Sequence, residues 1–129
     1  MTRKMYRMTA TAEGHFWKAL RESRQKWGHK RAEKYRVDFL QGLQRIADNH
    51  PVFNAPHRDE LAADTAFLIH LVEHRYVAFQ EHDKETIIIA GIFHESMDIP
   101  TRLRELQGLV RHEIDALKRE IDHVSRHAT

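Results

Sequence analysis

The sequence contains no cysteine, which excludes a disulfide framework, a thiolate metal site and a cysteine nucleophile. No apolar stretch approaches the roughly 20 residues that span a bilayer, and the first residues carry charge without an apolar run behind them. A glycine-rich phosphate loop, a Gly-x-Ser-x-Gly elbow and an HExxH motif are also missing. We therefore expect a cytoplasmic protein with no membrane contact and no cofactor.

The length and composition predict one folded domain with a single core. The chain has 129 residues, of which 41% are hydrophobic and 31% charged, an ordinary globular balance. Its net charge of +2 is unevenly distributed. Residues 15–36 contain eight Lys/Arg against two acids, whereas residues 58–98 contain nine acids against three bases. This asymmetry favours a charged partner on one side, although each charge taken singly also fits a solvated helix surface.

The first half of the chain reads as a strand followed by a helix hairpin. Residues 5–9 alternate as a short strand does, and helical spacing begins at about Thr11. Phe16, Leu20 and Trp27 can share one apolar helix face, and Gly28 ends that helix. A second amphipathic helix runs to Pro51, and residues 49–64 form a loop or partly helical connection.

The periodicity then becomes that of a sheet. Residues 67–73 and 76–80 read as two strands joined by a tight polar turn, and a third strand starts at Thr86. The fold class predicted is α+β, with an N-terminal strand, a helix hairpin and a three-stranded antiparallel meander. Together the strands form a four-stranded, largely antiparallel sheet that the hairpin covers on one face.

A long amphipathic helix is expected after the last strand. Asp98 is placed to cap it, and Pro100 is tolerated in its first turn. Its apolar residues step by three and four: Leu103, Leu106, Val110, Ile114, Leu117, Ile121 and Val124. We therefore divide the chain into a domain of residues 1–100 and an extended C-terminal helix, residues 101–129, that packs on the domain or on a partner.

Eleven histidines raise the question of a metal site. His70 and His74 lie in a predicted strand, where a spacing of four separates them by roughly 13 Å, too far for one ion. His123 and His127 have helical ligand spacing but no evident third ligand. We predict that no metal is bound.

An acid–base set remains on the predicted sheet: Glu73, His74, Arg75 and His94. A histidine moves protons near neutral pH, and an arginine stabilises developing negative charge, so these residues suit cleavage of RNA by its own 2′-hydroxyl. An ordinary polar turn is the simpler interpretation of residues 73–75, because polar residues dominate such turns.

The order of elements and two segments resemble the RelE/ParE superfamily of small bacterial toxins. The segments are EHRYVAF (residues 73–79) and IIIAGIFHESMD (residues 87–98), and the second helix with AEKY and LQRIA is also similar. The resemblance covers residues 5–100 and is most specific in IFHESMD, where a buried strand ends at His94 and Asp98 follows.

That resemblance implies the toxin of a type II toxin–antitoxin pair, neutralised by a cognate antitoxin protein. ParE-like members poison DNA gyrase without a catalytic site, whereas RelE- and YoeB-like members are ribosome-dependent mRNA endonucleases. Glu73, Arg75 and His94 resemble the endonuclease set, but this sequence departs from it, because Glu95 stands where a tyrosine is expected. The acidic sheet also repels phosphates, which favours the ParE-like branch.

The candidate contacts with a partner come from the basic hairpin and from the strand ends. They are Lys30, Arg31, Lys34, Arg75, His94 and Met97. A third interpretation is a non-toxic interaction module of the same fold, whose C-terminal helix packs where an antitoxin segment would bind or forms a homodimer.

Overall fold

The computed structural model describes residues 4–49 and 65–127. Its elements are β1 (Met5–Met8), α1 (Ala10–Trp27), α2 (His29–Asn49), β2 (Leu68–Val72), β3 (Arg75–Glu81), β4 (Thr86–His94), α3 (Ile99–Leu109) and α4 (Arg111–His127). The fold class is α+β. The connection predicted for residues 49–64 lies outside the described part of the chain beyond Asn49, the last residue of α2.

The predicted helix hairpin is confirmed. Thr9 caps α1, since its hydroxyl accepts from the backbone N–H of Ala12 at 3.0 Å. Gly28 ends α1 with a φ of 89°, a conformation that glycine adopts without a steric penalty. Apolar residues of both helices, including Phe16 and Phe39, form a core against one face of the sheet.

The prediction of a largely antiparallel sheet built as a meander is corrected by the position of β1. The strand order is β1-β4-β3-β2, and β1 runs parallel to β4, with Met5 opposite Thr86 and Met8 opposite Ile89. The sheet is therefore mixed, although β3 is antiparallel to both β2 and β4. Alternation in a sequence records which side chains are buried but not the direction in which a strand runs.

A bulge in β4 decides which side chains of this strand meet each layer of helices. Ala78 pairs with Gly91 but Phe79 pairs with Ile89, so Ala90 is an extra residue. Before the bulge, Ile89 packs on the hairpin side; after it the alternation is reversed, and Ile92 faces the hairpin. His94, two residues further along, therefore lies on the hairpin side as well.

The second face of the sheet is covered by two C-terminal helices, where the sequence predicted one. Asp98 caps α3 as expected, accepting from the Thr101 hydroxyl at 2.8 Å and from its N–H at 3.4 Å. The helix is interrupted at Val110, which is fully buried. The second core joins residues of α3 and α4 to the sheet: Leu103, Leu106, Val110, Ile114 and Ile121 pack with Ile69, Ile88 and Phe93.

Acidic residues of α4 bind it to α1, to β1 and to the residue that follows β3. The Glu113 carboxylate accepts from the backbone N–H and the hydroxyl of Thr11, each at 2.8 Å, next to the N-terminus of α1. The other two pairs are Glu120 with Arg7 at 3.1 Å and Asp122 with His82 at 2.8 Å.

None of the described helices combines the length and apolar character needed to cross a membrane.

His15 satisfies the backbone of β4 beyond the end of β1. The N–H of Ile92 donates to Nδ1 of His15 at 3.0 Å, and the imidazole lies 5.0 Å from the Phe93 ring, measured between centroids. Burial is the largest cause that lowers the pKa of His15, and the nearby charge of Lys18 lowers it further, while Glu113 acts in the opposite direction. The folded chain therefore favours the neutral ring, the form in which Nδ1 can accept this hydrogen bond.

Gly91 is required for the close approach of α3 to the sheet. A Cβ atom at this position would lie 2.7 Å from Cδ2 of Leu106. We expect Gly91→Ala to lower the free energy of unfolding by about 1 kcal/mol, because the flexible end of Leu106 must move. Gly14→Ala is the matched control, since a Cβ there meets nothing within 4 Å and the position is helical. It should raise stability by about 0.5–1 kcal/mol. Chemical denaturation measures both changes, and a loss of stability in both variants would contradict this role of Gly91.

Stability should fall as the pH is lowered through the range in which histidines titrate. The pKa of His70 is lowered too, first by burial and then by Arg45, so two rings are held neutral in the folded chain. Their contribution is complete above the unfolded histidine pKa of ~6.5 and is lost as the pH falls from there toward the lower folded pKa. His15→Asn keeps an acceptor but does not titrate, so its free energy of unfolding should depend less on pH in this range. Identical pH profiles for the variant and the wild type would contradict the role given to His15.

Candidate functional site

The β2–β3 turn holds two large polar side chains in a conformation that usually belongs to glycine and asparagine. Glu73 and His74 form the whole connection between Val72 and Arg75, with φ angles of 47° and 66°. Positive φ at both positions is typical of a type I′ turn, in which side chains such as these are disfavoured by about 1 kcal/mol each. The turn is attached to the residue after β4, because His74 lies 2.9 Å from the Glu95 carboxylate and its carbonyl accepts from the Glu95 N–H at 3.0 Å.

Arg75, the first residue of β3, carries a charge that its neighbours neutralise incompletely. Its side chain is only 17% exposed. Nε donates to the Tyr35 hydroxyl at 2.8 Å, and Nη2 lies 3.9 Å from the carboxylate of Glu22. Burial raises the pKa of Tyr35 and the cation of Arg75 opposes that change, so the phenol is a neutral partner at physiological pH. A charge removed from water gains most from a close ionic partner, and the pair of Arg75 with Glu22 is long and has an exposed carboxylate.

His94 lies directly opposite Arg75 on the neighbouring strand, and its ring is held in one tautomer. The backbone N–H of Ser96 donates to Nδ1 of His94 at 3.1 Å, and the Ser96 hydroxyl lies 2.8 Å from the same atom. Because a backbone N–H only donates, Nδ1 accepts and the ring proton is on Nε2. Both a general base at Nε2 and an imidazolium acid need a proton on Nδ1, which would break this bond. The geometry suits His94 as a hydrogen-bond donor rather than as a proton-transfer group.

These residues open onto two cavities. The hairpin cavity, of about 800 Å³, lies between α1, α2 and the ends of β3 and β4. Its charged lining residues are Lys26, Arg31, Lys34, Arg75, Glu22, Asp38 and Glu73. The smaller cavity, of about 310 Å³, lies between α1, the end of β4 and the start of α3. The two cavities share Ala19, Glu22, Arg75 and His94, so they form adjoining parts of one groove.

The groove gathers most of the residues that the sequence singled out. Arg31 and Lys34 of the hairpin line the hairpin cavity together with Glu73, Arg75 and His94, and Met97 lines the smaller one. Lys30 lines neither cavity. The basic hairpin and the strand ends, which are distant in sequence, thus contribute to the same surface.

The sequence analysis placed Trp27 on the apolar face of α1 with Phe16 and Leu20, and this placement is wrong for Trp27. Its side chain is 51% exposed, and two cations flank its ring, with Lys26 Nζ at 5.0 Å and the Arg31 guanidinium at 4.6 Å from the centroid. Tyr35 does pack against the hairpin core, but its hydroxyl reaches Arg75. A tryptophan beside Gly28 in the most basic part of the chain was the signal that could have indicated a binding surface.

Metal binding finds no support in residues 4–49 and 65–127. Across those residues no three His, Asp or Glu side chains come together in a group able to hold an ion. The acids of the groove lie beside cations instead, as Asp38 does with Lys34 at 2.8 Å.

The chain is similar to one characterised bacterial protein over most of its length. No family model matches it. It is 30% identical to Toxin ParE of Escherichia coli over 100 residues, which are 78% of this chain and 93% of that protein. The aligned part is long enough to include a whole domain of this size, so the similarity is not confined to a short motif. The chain belongs to the ParE toxin family.

Proposed function

We propose that the protein is the toxin of a toxin–antitoxin pair, which acts in the cytoplasm by binding and inhibiting DNA gyrase and is neutralised by a cognate antitoxin. The groove between the helix hairpin and the strand ends is the surface that contacts these partners. The observation that carries the proposal is the site itself, an open groove with cations, an exposed tryptophan and a histidine whose Nδ1 is already an acceptor. Such a lining suits binding to another protein better than acid–base chemistry.

Charge supports an acidic protein segment as the occupant. Lys30, Arg31 and Lys34 are all exposed at the start of α2, and Arg31 also covers the Trp27 ring. Aromatic and arginine side chains that lie together are typical of the energetically dominant part of a protein interface. An antitoxin segment with acidic residues would complement this surface.

The second candidate is a ribosome-dependent mRNA endonuclease. The observation that favours it is that Glu73, Arg75 and His94 line the same cavity. It requires His94 to give up its bond from Ser96, and the acids of the cavity oppose the binding of phosphates. We therefore rank it second.

A homodimer through the C-terminal helix is not part of the proposal. Most of the apolar stripe that would form its seam is buried in the chain's own second core. The large apolar side chains left exposed on α3 and α4, within the described residues, are Leu109 and Val124.

Expression of the protein should arrest growth, and the antitoxin encoded next to it should relieve the arrest. Purified protein should inhibit gyrase supercoiling without cutting mRNA on ribosomes.

The triple variant Lys30→Glu, Arg31→Glu, Lys34→Glu should weaken antitoxin binding roughly tenfold or more, because it reverses the charge at the proposed contact.

The matched control is Arg104→Glu, Arg111→Glu, Arg119→Glu, which makes the same charge change at exposed positions of α3 and α4 outside both cavities. Titration of each variant with the antitoxin in a calorimeter gives the affinities. If the two triple variants bind the antitoxin with equal affinity, the basic residues of the hairpin are not part of the contact surface. Ribosome-dependent mRNA cleavage that is lost in Arg75→Ala or His94→Ala would overturn the gyrase proposal in favour of the endonuclease.

A further inference from the structure

The smaller cavity has a lining that is unusually one-sided in charge. Lys18 of α1, Arg75 of β3 and Arg102 of α3 contribute a cation each, and Glu22 is the one acid among the residues that line it. These cations come from three separate elements that only the folded chain brings together. They are much further apart in sequence than the three or four residues that separate neighbours on one helix face. Their proximity is therefore a result of the tertiary fold and not of local helix geometry.

The acid does not neutralise this set. Glu22 lies 3.9 Å from Arg75 and its side chain is 55% exposed, so water screens the pair. Arg102 lies 3.5 Å from Glu105, but that pair is on the exposed surface of α3. The half-buried Arg75 is thus the cation that would gain most from a close anionic partner.

The remaining lining shows what kind of anion fits. Ile92, Phe93 and Met97 supply apolar surface beside the cations, and His15 lies against Phe93. An apolar wall beside cations fits an acidic side chain, whose methylene groups can pack while its carboxylate is bound.

We propose that this cavity is a carboxylate-binding site that accepts an acidic side chain of a bound protein segment. The identification of that segment with the antitoxin rests on the function proposed above, whereas the site itself does not. Nucleic acid is the less suitable occupant, because a strand carries a phosphate at every nucleotide. A strand that continued into the adjoining hairpin cavity would also meet the carboxylates of Asp38 and Glu73.

The test uses the full chain and a peptide, acetylated tri-glutamate amide, with tri-glutamine as its neutral counterpart. Amide NMR titration should show shifts concentrated around the smaller cavity, including the Ile92 N–H. Lys18→Gln and Arg102→Gln should each raise the dissociation constant of tri-glutamate roughly fivefold. Arg21→Gln and Arg104→Gln remove the same charge from α1 and α3 outside the cavity and should leave it unchanged.

Equal binding of tri-glutamine, or unchanged affinity in Lys18→Gln and Arg102→Gln, would overturn the carboxylate site. Stronger binding of a single-stranded RNA oligonucleotide than of tri-glutamate at this cavity would also overturn it, in favour of a phosphate site. All four substituted side chains are solvent-exposed, so unshifted amide signals away from the cavity verify that each variant is folded. The peptide titration does not depend on toxic activity. If the protein binds tri-glutamate but does not inhibit gyrase, the proposed function is contradicted and the carboxylate site is not.

Discussion

One extra residue in the central strand determines how the two halves of the molecule meet. Ala90 has no partner in the β3–β4 ladder, and its carbonyl accepts from the Thr9 hydroxyl at 2.9 Å. That hydroxyl also accepts from the N–H of Ala12, so one buried side chain both caps α1 and binds the bulge. The Thr9 hydroxyl thus donates one hydrogen bond and accepts another, and losing either would leave a buried polar group unpaired. The start of α1 is therefore held at a fixed point of β4.

The groove depends on this attachment. Because the bulge reverses the alternation of β4, His94 is presented toward the hairpin instead of toward α3 and α4. His15, five residues into α1 from its first residue, then binds the N–H of Ile92 beyond the end of β1. With α1 held at Thr9 and His15, its next turns place Ala19 and Glu22 beside Arg75. The function proposed for the groove therefore depends on backbone register as much as on the identity of its side chains.

Features that are encoded locally could be predicted from the sequence. Three of them are the end of α1 at Gly28, the tight turn before Arg75 and the cap of α3 at Asp98. Each is determined by side chains within a few residues of it. The similarity of residues 87–98 to the toxin family was visible for the same reason, since it is a contiguous segment. The family assignment is then supported by similarity over most of the chain.

Features that depend on distant contacts could not be predicted. The parallel direction of β1 and the break at Val110 are decided by what each element packs against. The bulge had only a weak signal, the small residues Ala90 and Gly91 inside an otherwise large apolar run, which also fits a plain buried strand. The exposure of Trp27 was missed because helical spacing assigns a face without showing where the covering layer ends.

The most direct test of this account asks which face the end of β4 presents. The chain has no cysteine, so Ser23→Cys, which lies in the hairpin cavity, can carry a single nitroxide spin label. Paramagnetic broadening of ring-proton NMR signals then reports which side chains lie near the label. We predict stronger broadening of His94, which lines the hairpin cavity together with Ser23, than of Phe93, which packs in the second core. A spectrum in which Phe93 is broadened and His94 keeps its intensity would contradict it.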